Sequence, residues 1–465
     1  MNIMLIGSGG REHAICAALA KSGTVERIVC IPGNAGTADE PKTLNIKPPA
    51  GVCAEPGSID FFAETAAAHK IDFVLIGPEA PLCAGLADAL WEKGFPVVGP
   101  KKAAAKLEGS KDFAKNFMKK YGIACADSIT VTDAAQAEAY IQTRDAPIVV
   151  KADGLAAGKG VVVAATKQEA LKAVDNFMNA ETLGEAGKKL VLEEYLQGSE
   201  ISVLAAVSVT QELAENGKAA IIPLVPARDH KRLLDGARGA NTGGMGAIAP
   251  VPGLDNEIMQ MFARTILEPT LNGLIAERIE YRGFIFFGLM LTDSGPKLLE
   301  YNVRLGDPET QAVLPLLDCD FAHLCTAILD TDGEGALKKF NLRLKKGFVC
   351  APVAVSGGYP GAYKTGCAIK IDIAQNTDNL KVFIAGAEYA ASPGCNTAPT
   401  AGCPASQTKN ALLSSGGRVL CVSAFAPSLE GARSKAYAAL KNIHFDNMFY
   451  RTDIGLPGAA DSGKI

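Results

Sequence analysis

What this chain lacks narrows its chemistry first. Its five histidines are scattered without ligand spacing, and its twelve cysteines include no C-x-x-C pair. Cys16, Cys30, Cys350 and Cys421 lie in apolar runs, where buried free thiols are expected rather than zinc ligands or disulfides. Cys395 and Cys403 fall in a polar stretch expected to be an exposed surface loop. No run approaches the ~18 consecutive apolar residues of a membrane helix, so no membrane partner is expected. The opening MNIMLIGSGGREHA is too short in its apolar part for a signal peptide and reads as a first buried strand, which points to the cytoplasm. A formal charge of −4 and a pI near 5.9 argue against nucleic acid as the main partner. No convincing Ser-His or Cys-His nucleophile stands out. At 465 residues, 48% hydrophobic and 21% charged, the composition is that of an ordinary globular chain of roughly two to four domains.

What is present is more specific. Residues 284–292 form an apolar run, Asp293-Ser294-Gly295 supplies turn chemistry, and residues 297–302 read as a return strand. Residues i and i+2 of a strand share a face, so Glu300 and Asn302 stand side by side. A carboxylate and an amide oxygen there suit a hard cation bound to nucleotide phosphates. Arg304, Asp307 and Glu309 follow at once. An isolated E-x-N triplet is more often a solvated strand end. The dense charge after an apolar hairpin, with a lysine-glycine loop upstream, favours the metal reading. That loop, IVVKADGLAAGKGVVV over residues 148–163, sets three glycines and two lysines, Lys151 and Lys159, between β-branched runs. Glycines let the backbone approach a polyphosphate closely. The order G-x-x-x-x-G-K-[ST] is absent, which excludes a Walker A loop.

Residues 1 to about 100 alternate strand and helix patterns, with strands expected over 2–6, 27–31, 73–76 and 96–98 and helices over 11–22, 58–70 and 86–93. The alternation implies a parallel, doubly wound sheet. Its first turn, Gly7-Ser8-Gly9-Gly10-Arg11-Glu12, starts like a dinucleotide fingerprint but has Glu12 in place of the third glycine. A small phosphate at the helix N-terminus, reinforced by Arg11, is the better expectation. The loops at Gly33 and Asn34 and at Pro78 and Glu79 follow other strands of this sheet, and the three loops can form one pocket. A helical connector over 101–121, a strand over 190–196, a long polar region carrying DHKR and NTGGMG, and a helix over 269–280 come next. The pattern breaks near 330, after which strands over 348–356, 367–373 and 419–425 suit a small α+β unit. Residues 390–416 are non-periodic and read as a surface loop.

The motifs GSGGREHA, PGNAGT, GPEAPL, LEGSK, KADGLAAGKGV, LEEYLQGSE, DHKR, NTGGMGA, EYNVRLGDPETQ, SGGYPG and GGRVL, in this order, resemble the ATP-grasp enzymes. Within them they are most similar to the phosphoribosylamine–glycine ligase family. The resemblance covers nearly the whole chain and implies an N-terminal doubly wound domain (1–101), an ATP-grasp domain (102–330, with a lid over about 122–195) and a C-terminal α+β domain (331–465). It implies a divalent metal, Mg²⁺ or Mn²⁺, on Glu300 and Asn302. Lys111 and Lys151 would contact phosphate beneath a glycine-rich flap that includes Gly154, Gly158, Lys159 and Gly160. The segment of Glu193, Glu194, Tyr195 and Leu196 would take the adenine, largely through backbone groups, and Glu200 the ribose. Arg304 would face the acyl phosphate, with Asp229 and Lys231 near the reacting groups. Gly9, Gly10, Arg11, Gly33, Asn34, Pro78, Glu79, Asp307 and Glu309 are assigned to substrate. The partners implied are ATP, glycine and 5-phosphoribosylamine, and a monomer is the working expectation. One departure is the stretch 387–415, longer than the family's usual connection.

Three alternatives stay open. Another ATP-grasp ligase or carboxylase would share the ATP machinery and differ in the flanking pockets. An NAD-dependent oxidoreductase should carry an acidic residue at the end of the second strand, where Ile31-Pro32-Gly33 stands. A non-catalytic nucleotide sensor would not need both metal positions and both lysines.

Overall fold

The computed structural model describes residues 1–49, 51–52, 58–155, 160–179, 181–373, 377, 379–390 and 410–457. Gly158, Lys159, Cys395 and Cys403, and most of the long 387–415 stretch, therefore lie outside the described residues. The N-terminal sheet is wholly parallel, with strands Thr43–Asn45, Arg27–Pro32, Asn2–Gly7, Phe73–Ile76 and Val97–Val98 in that spatial order. Its inner strands Asn2–Gly7 and Phe73–Ile76 are short, apolar and buried on both faces, as a sheet sandwiched between helices requires. The strand order reverses between Asn2–Gly7 and Phe73–Ile76, so the loops following these two strands flank a crevice. The sequence pattern missed the edge strand Thr43–Asn45, which has three residues and too few side chains to show a period.

The expected single connector over 101–121 is two helices, Lys102–Gly109 and Lys111–Lys120. Ser110 ends one and caps the other, its hydroxyl accepting a hydrogen bond from the Phe113 N–H at 3.1 Å. A four-stranded antiparallel lid sheet follows, ordered Ser128–Val131, Leu190–Glu194, Ile148–Ala152, Val161–Ala164. It has its own small core, including Ile141, Val150, Val174 and Leu192. The larger central sheet runs Ala220–Pro223, Ser199–Val209, Tyr281–Thr292, Gly295–Asn302. Its last two strands are the hairpin expected from the sequence, turning through Asp293 and Ser294.

The C-terminal sheet departs from the expected division of the chain. Its order is Arg228–Asp229, Gly246–Ala249, Phe348–Val355, Arg418–Ala426, Leu380–Ile384, so two of its five strands come from well before residue 330. The strand expected over 367–373 is only Lys370–Ile371, and the helix expected over 269–280 is Glu268–Ala276. Cys16, Cys30, Cys350 and Cys421 are buried and unpaired, as their apolar surroundings imply.

Candidate active site

The strand Gly295–Asn302 delivers its residues to two faces. Tyr301 is buried against Phe287, ring centroids 5.5 Å apart, and its hydroxyl is 2.7 Å from that of Thr270. Glu300 and Asn302 consequently point the other way, into a cluster of cations. Burial alone would raise the Glu300 pKa, but Lys231, Lys151, Lys111 and Arg304 outweigh it and hold the carboxyl below its ordinary value. Among the described residues no group of three or more His, Cys, Asp or Glu could hold a metal alone. An ionised carboxylate beside one amide oxygen fits a hard cation whose remaining ligands are phosphate oxygens and water.

Lys111 opens its helix and reaches across to the lid, donating to the Gly154 carbonyl at 2.9 Å. Lys151 lies on the lid sheet with its Nζ 2.9 Å from Glu193 Oε1. The other oxygen of Glu193 is 3.2 Å from Lys115 Nζ, and all three side chains are buried. Glu193 thus directs its carboxylate at two lysines, while its backbone stands between Ser128 and Val149 in the sheet ladder. Glu194 instead faces the lid edge, accepting from the Asp127 N–H at 3.0 Å. Tyr195 and Leu196 cross from the lid sheet to the central strand Ser199–Val209, on which Glu200 accepts from Lys231 at 2.6 Å. Glu200, Lys231 and Glu300 therefore belong to one charge network, in which Glu200 and then Glu300 raise the Lys231 pKa against its burial.

Arg304 is the junction between domains. Its Nε is 3.2 Å from Glu79 of the N-terminal domain, and its Nη2 lies 3.1 Å from Glu108 and 3.2 Å from the Asn302 amide oxygen. The pKa of the guanidinium is raised, because Glu108, Glu79, Glu309 and Glu300 overcome its burial. Glu108 is itself pushed up to about 6, chiefly by burial, while Arg304 pulls the other way.

A second network adjoins the first. Asp307 pairs with Arg418 at 3.0 Å and accepts from Gln311 at 2.8 Å. Glu309 is buried and accepts from Ser202 at 2.9 Å. Burial and the Glu309 charge raise the Asp229 carboxyl well above its ordinary pKa, against Lys231 and Arg418. The NTGGMG loop closes over this group. A Cβ at Gly244, whose φ is +112°, would stand 2.7 Å from Asp229 Oδ1 and 2.4 Å from Pro308 Cδ, so only glycine fits.

In the N-terminal loops, several side chains are engaged by other protein groups. Arg11 is buried, its Nε 2.6 Å from Glu12 and its Nη1 donating to the Leu305 carbonyl at 3.3 Å. Glu12 also accepts from the Gly9 N–H at 2.6 Å, so an internal carboxylate already sits at the start of the helix Gly10–Ala20. A Cβ at Gly77 would fall 2.1 Å from the Glu12 carboxylate, which fills the turn of the dinucleotide-like motif. Gly10 lies against the Gln311 amide. Gly33 packs against Asn45, while the Asn34 side chain donates to Ser8 and Ile384 carbonyls, both at 2.8 Å, fastening the C-terminal domain. Pro78 precedes the short helix that carries Glu79 to Arg304.

Four further residues were not singled out from the sequence: Glu108, Lys115, Gln311 and Arg418. Lys115 had a legible signal, since it shares the helix face of Ala114, Phe117 and Met118, where a lysine must find a buried partner. Nothing local marks Glu108 and Arg418, whose partners lie 100 to 200 residues away in the chain, whereas Gln311 stands four residues after its partner Asp307.

Two four-stranded antiparallel sheets, with Glu300 and Asn302 on the edge strand of one and a parallel N-terminal sheet beside them, have the architecture of an ATP-grasp enzyme. Three family models match in succession: the phosphoribosylglycinamide synthetase N domain (residues 1–108), its ATP-grasp (A) domain (109–310) and its C domain (349–457). A phosphoribosylamine–glycine ligase of Clostridium acetobutylicum is 44% identical over 456 residues, covering 98% of this chain and 99% of the relative. The crystal structure of the Thermotoga maritima phosphoribosylamine–glycine ligase superposes with a TM-score of 0.77 at 32% identity, covering 98% of this chain and all of that one. A biotin carboxylase domain from Hydrogenobacter thermophilus, solved with MgADP and bicarbonate, shares the fold at 15% identity, a TM-score of 0.68, and coverage of 96% of this chain and 91% of that one. The chain belongs to the phosphoribosylamine–glycine ligase family.

Proposed function

We propose that this chain joins glycine to 5-phosphoribosylamine at the expense of ATP, forming glycinamide ribonucleotide, ADP and phosphate in purine biosynthesis. Full-length similarity to ligases of that name supports it, and the observation that carries it is the Glu300–Asn302 pair set among Lys111, Lys151 and Lys231. The glycine carboxylate attacks the γ-phosphorus, releasing ADP and giving glycyl phosphate. The amine of phosphoribosylamine then attacks the acyl carbon, phosphate leaves and the nitrogen gives up a proton. Chemistry of this kind asks mainly for positioning and charge neutralisation.

Glu300 and Asn302 would hold Mg²⁺ or Mn²⁺, which when bound neutralises phosphate charge. Lys111 and Lys151, beneath the flap of Gly154, Gly158, Lys159 and Gly160, would orient the phosphates. Glu193, Glu194, Tyr195 and Leu196 would present the adenine with backbone groups, and Glu200 the ribose. Arg304 would orient the carboxylate and acyl phosphate, with Asp229 and Lys231 beside the reacting atoms. Asp307, Glu309, Glu79, Pro78 and the loops at Gly9, Gly10, Gly33 and Asn34 would bound the phosphoribosylamine pocket. Arg11 and Asn34 would support that pocket from behind, since their side chains are engaged by protein groups. The same reading places the enzyme in the cytoplasm, divides it at about 101 and 330, and needs no partner chain. Among the described residues no helix is long and apolar enough to cross a membrane.

The test is ADP release with glycine and freshly made phosphoribosylamine, each omitted in turn. Turnover is expected to require both. Bicarbonate-dependent turnover without glycine would replace this reading with a carboxylase.

A further inference from the structure

The hairpin Arg232–Leu234 with Arg238–Asn241 is largely exposed, yet it follows directly on Asp229 and Lys231. Polar groups from the far C-terminus hold it. Arg451 is wholly buried and donates to the Arg232 carbonyl at 3.0 Å, while its guanidinium meets both oxygens of Asp453 at 2.8 Å. Asp453 also accepts from the Gly236 N–H at 2.7 Å. From the hairpin side, the Asp235 carboxylate accepts from the Thr452 N–H at 2.8 Å and from its hydroxyl.

The root of the hairpin is tied as well. The Gly455 N–H donates to His230 Nε2 at 3.4 Å, and His230 Nδ1 lies 3.2 Å from the Gly246 carbonyl. That pairing makes Nδ1 the donor and His230 a neutral ring. Residues 451–455 are in turn fixed to the helix Leu429–Leu440, Tyr437 donating to the Arg451 carbonyl at 2.7 Å and Arg433 to the Ile454 carbonyl at 2.8 Å. A continuous hydrogen-bonded path therefore runs from that helix through 451–455 to the segment bearing Asp229 and Lys231.

We propose that residues 451–455 are a positioning clasp for the proposed ligase reaction, setting Asp229 and Lys231 relative to Glu200 and the reacting groups. Arg451, Asp453 and Asp235 are its positioning residues; none of them touches substrate. The planar fork of Arg451 matches a carboxylate with two parallel bonds, which a lysine cannot do. Small displacements of groups near reacting atoms lower turnover steeply even when the change lies far from the chemistry.

The proposal rests on the ligase reading and is tested in the full chain. Asp235→Ala removes two exposed links without opening a core, and Arg451→Lys loosens the buried fork. Both are expected to lower kcat about ten- to hundredfold, with a smaller change in KM for ATP and little change in thermal midpoint for Asp235→Ala. Asp235→Asn, which retains an acceptor, is expected to restore most of the rate. Wild-type kcat in folded Asp235→Ala, or a loss of kcat that only tracks the folded fraction in both variants, would overturn the clasp. A wild-type chain without glycine-dependent turnover would instead refute the ligase reading.

Discussion

Glu108 and Arg304 are joined by a buried ion pair, Oε1 to Nη2 at 3.1 Å, at the seam where the helix Lys102–Gly109 meets the end of the metal-type strand. The other oxygen of Glu108 accepts from the Val303 N–H at 2.7 Å, so one carboxylate locks both the backbone and the side chain beside Asn302. Losing a hydrogen bond to a charged group weakens a fold by about 1.5–3 kcal/mol, and Glu108→Ala is expected to do so while raising KM for glycine. Glu108→Gln should keep most of both. Its pKa, raised from 4.5 to about 6 by burial, gives the pH dependence a definite sign. The folded state binds this proton more tightly than the unfolded chain, so the contribution is complete below 4.5 and is lost as pH rises through 6. That amounts to about 2 kcal/mol. Urea midpoints at pH 4.5 and 7 should converge in Glu108→Gln relative to the parent.

Glu300 is stabilised by Lys231, Lys151, Lys111 and Arg304 together. Glu300→Ala removes a proposed metal ligand and leaves those cations facing one another. ADP formation is expected to fall at least about a thousandfold. Equilibrium dialysis with Mn²⁺ and ATP should show weaker metal retention, whereas metal binding at the parental level would remove Glu300 from the site.

Gly198 turns the chain from the segment ending at Leu196 into the strand bearing Glu200. Its φ is +159°, and a Cβ there would lie 2.0 Å from the Leu291 carbonyl oxygen. Backbone cannot give way as a flexible side chain can. Gly198→Ala is expected to destabilise by about 1–3 kcal/mol and to raise KM for ATP more than KM for glycine, as read from calorimetry and initial rates.

Asp229 is held toward its neutral form by burial and by Glu309. Asp229→Asn mimics that neutral group in shape, so the thermal midpoint at neutral pH should be unchanged or slightly higher. The ligation rate should still fall, because an amide cannot ionise beside Lys231 as charge develops at the reacting atoms. A midpoint several degrees lower would show that Asp229 is ionised in the resting enzyme.

Much of this molecule was legible before any fold was known, for local reasons. The hairpin over Tyr281–Asn302 showed its period of two and its turn residues, and the alternation of residues 1–100 showed parallel strands. That Glu300 and Asn302 share one face followed from strand geometry. Lys115 was legible in principle, as a charge on an apolar helix face.

Other features have no local signature. Arg11 carries the same charge whether it turns toward a ligand or, as here, toward Glu12 and Leu305. Asn34 reads as a turn residue, and only the approach of Ile384, 350 positions away, makes it an interdomain tie.

The chain order of residues by itself determined the elements, the side on which each strand places its charges, and the set of groups available for phosphate chemistry. Periodicity and turn preference act over a few residues and are readable there. Tertiary structure alone decided that Arg228–Asp229 and Gly246–Ala249 join the C-terminal sheet, that Arg304 is gripped by Glu79 and Glu108, and that Arg451 reaches Arg232. Those pairings span tens to hundreds of residues. They are selected by which buried charges and backbone groups can be satisfied together, a condition that exists only once the chain has closed on itself.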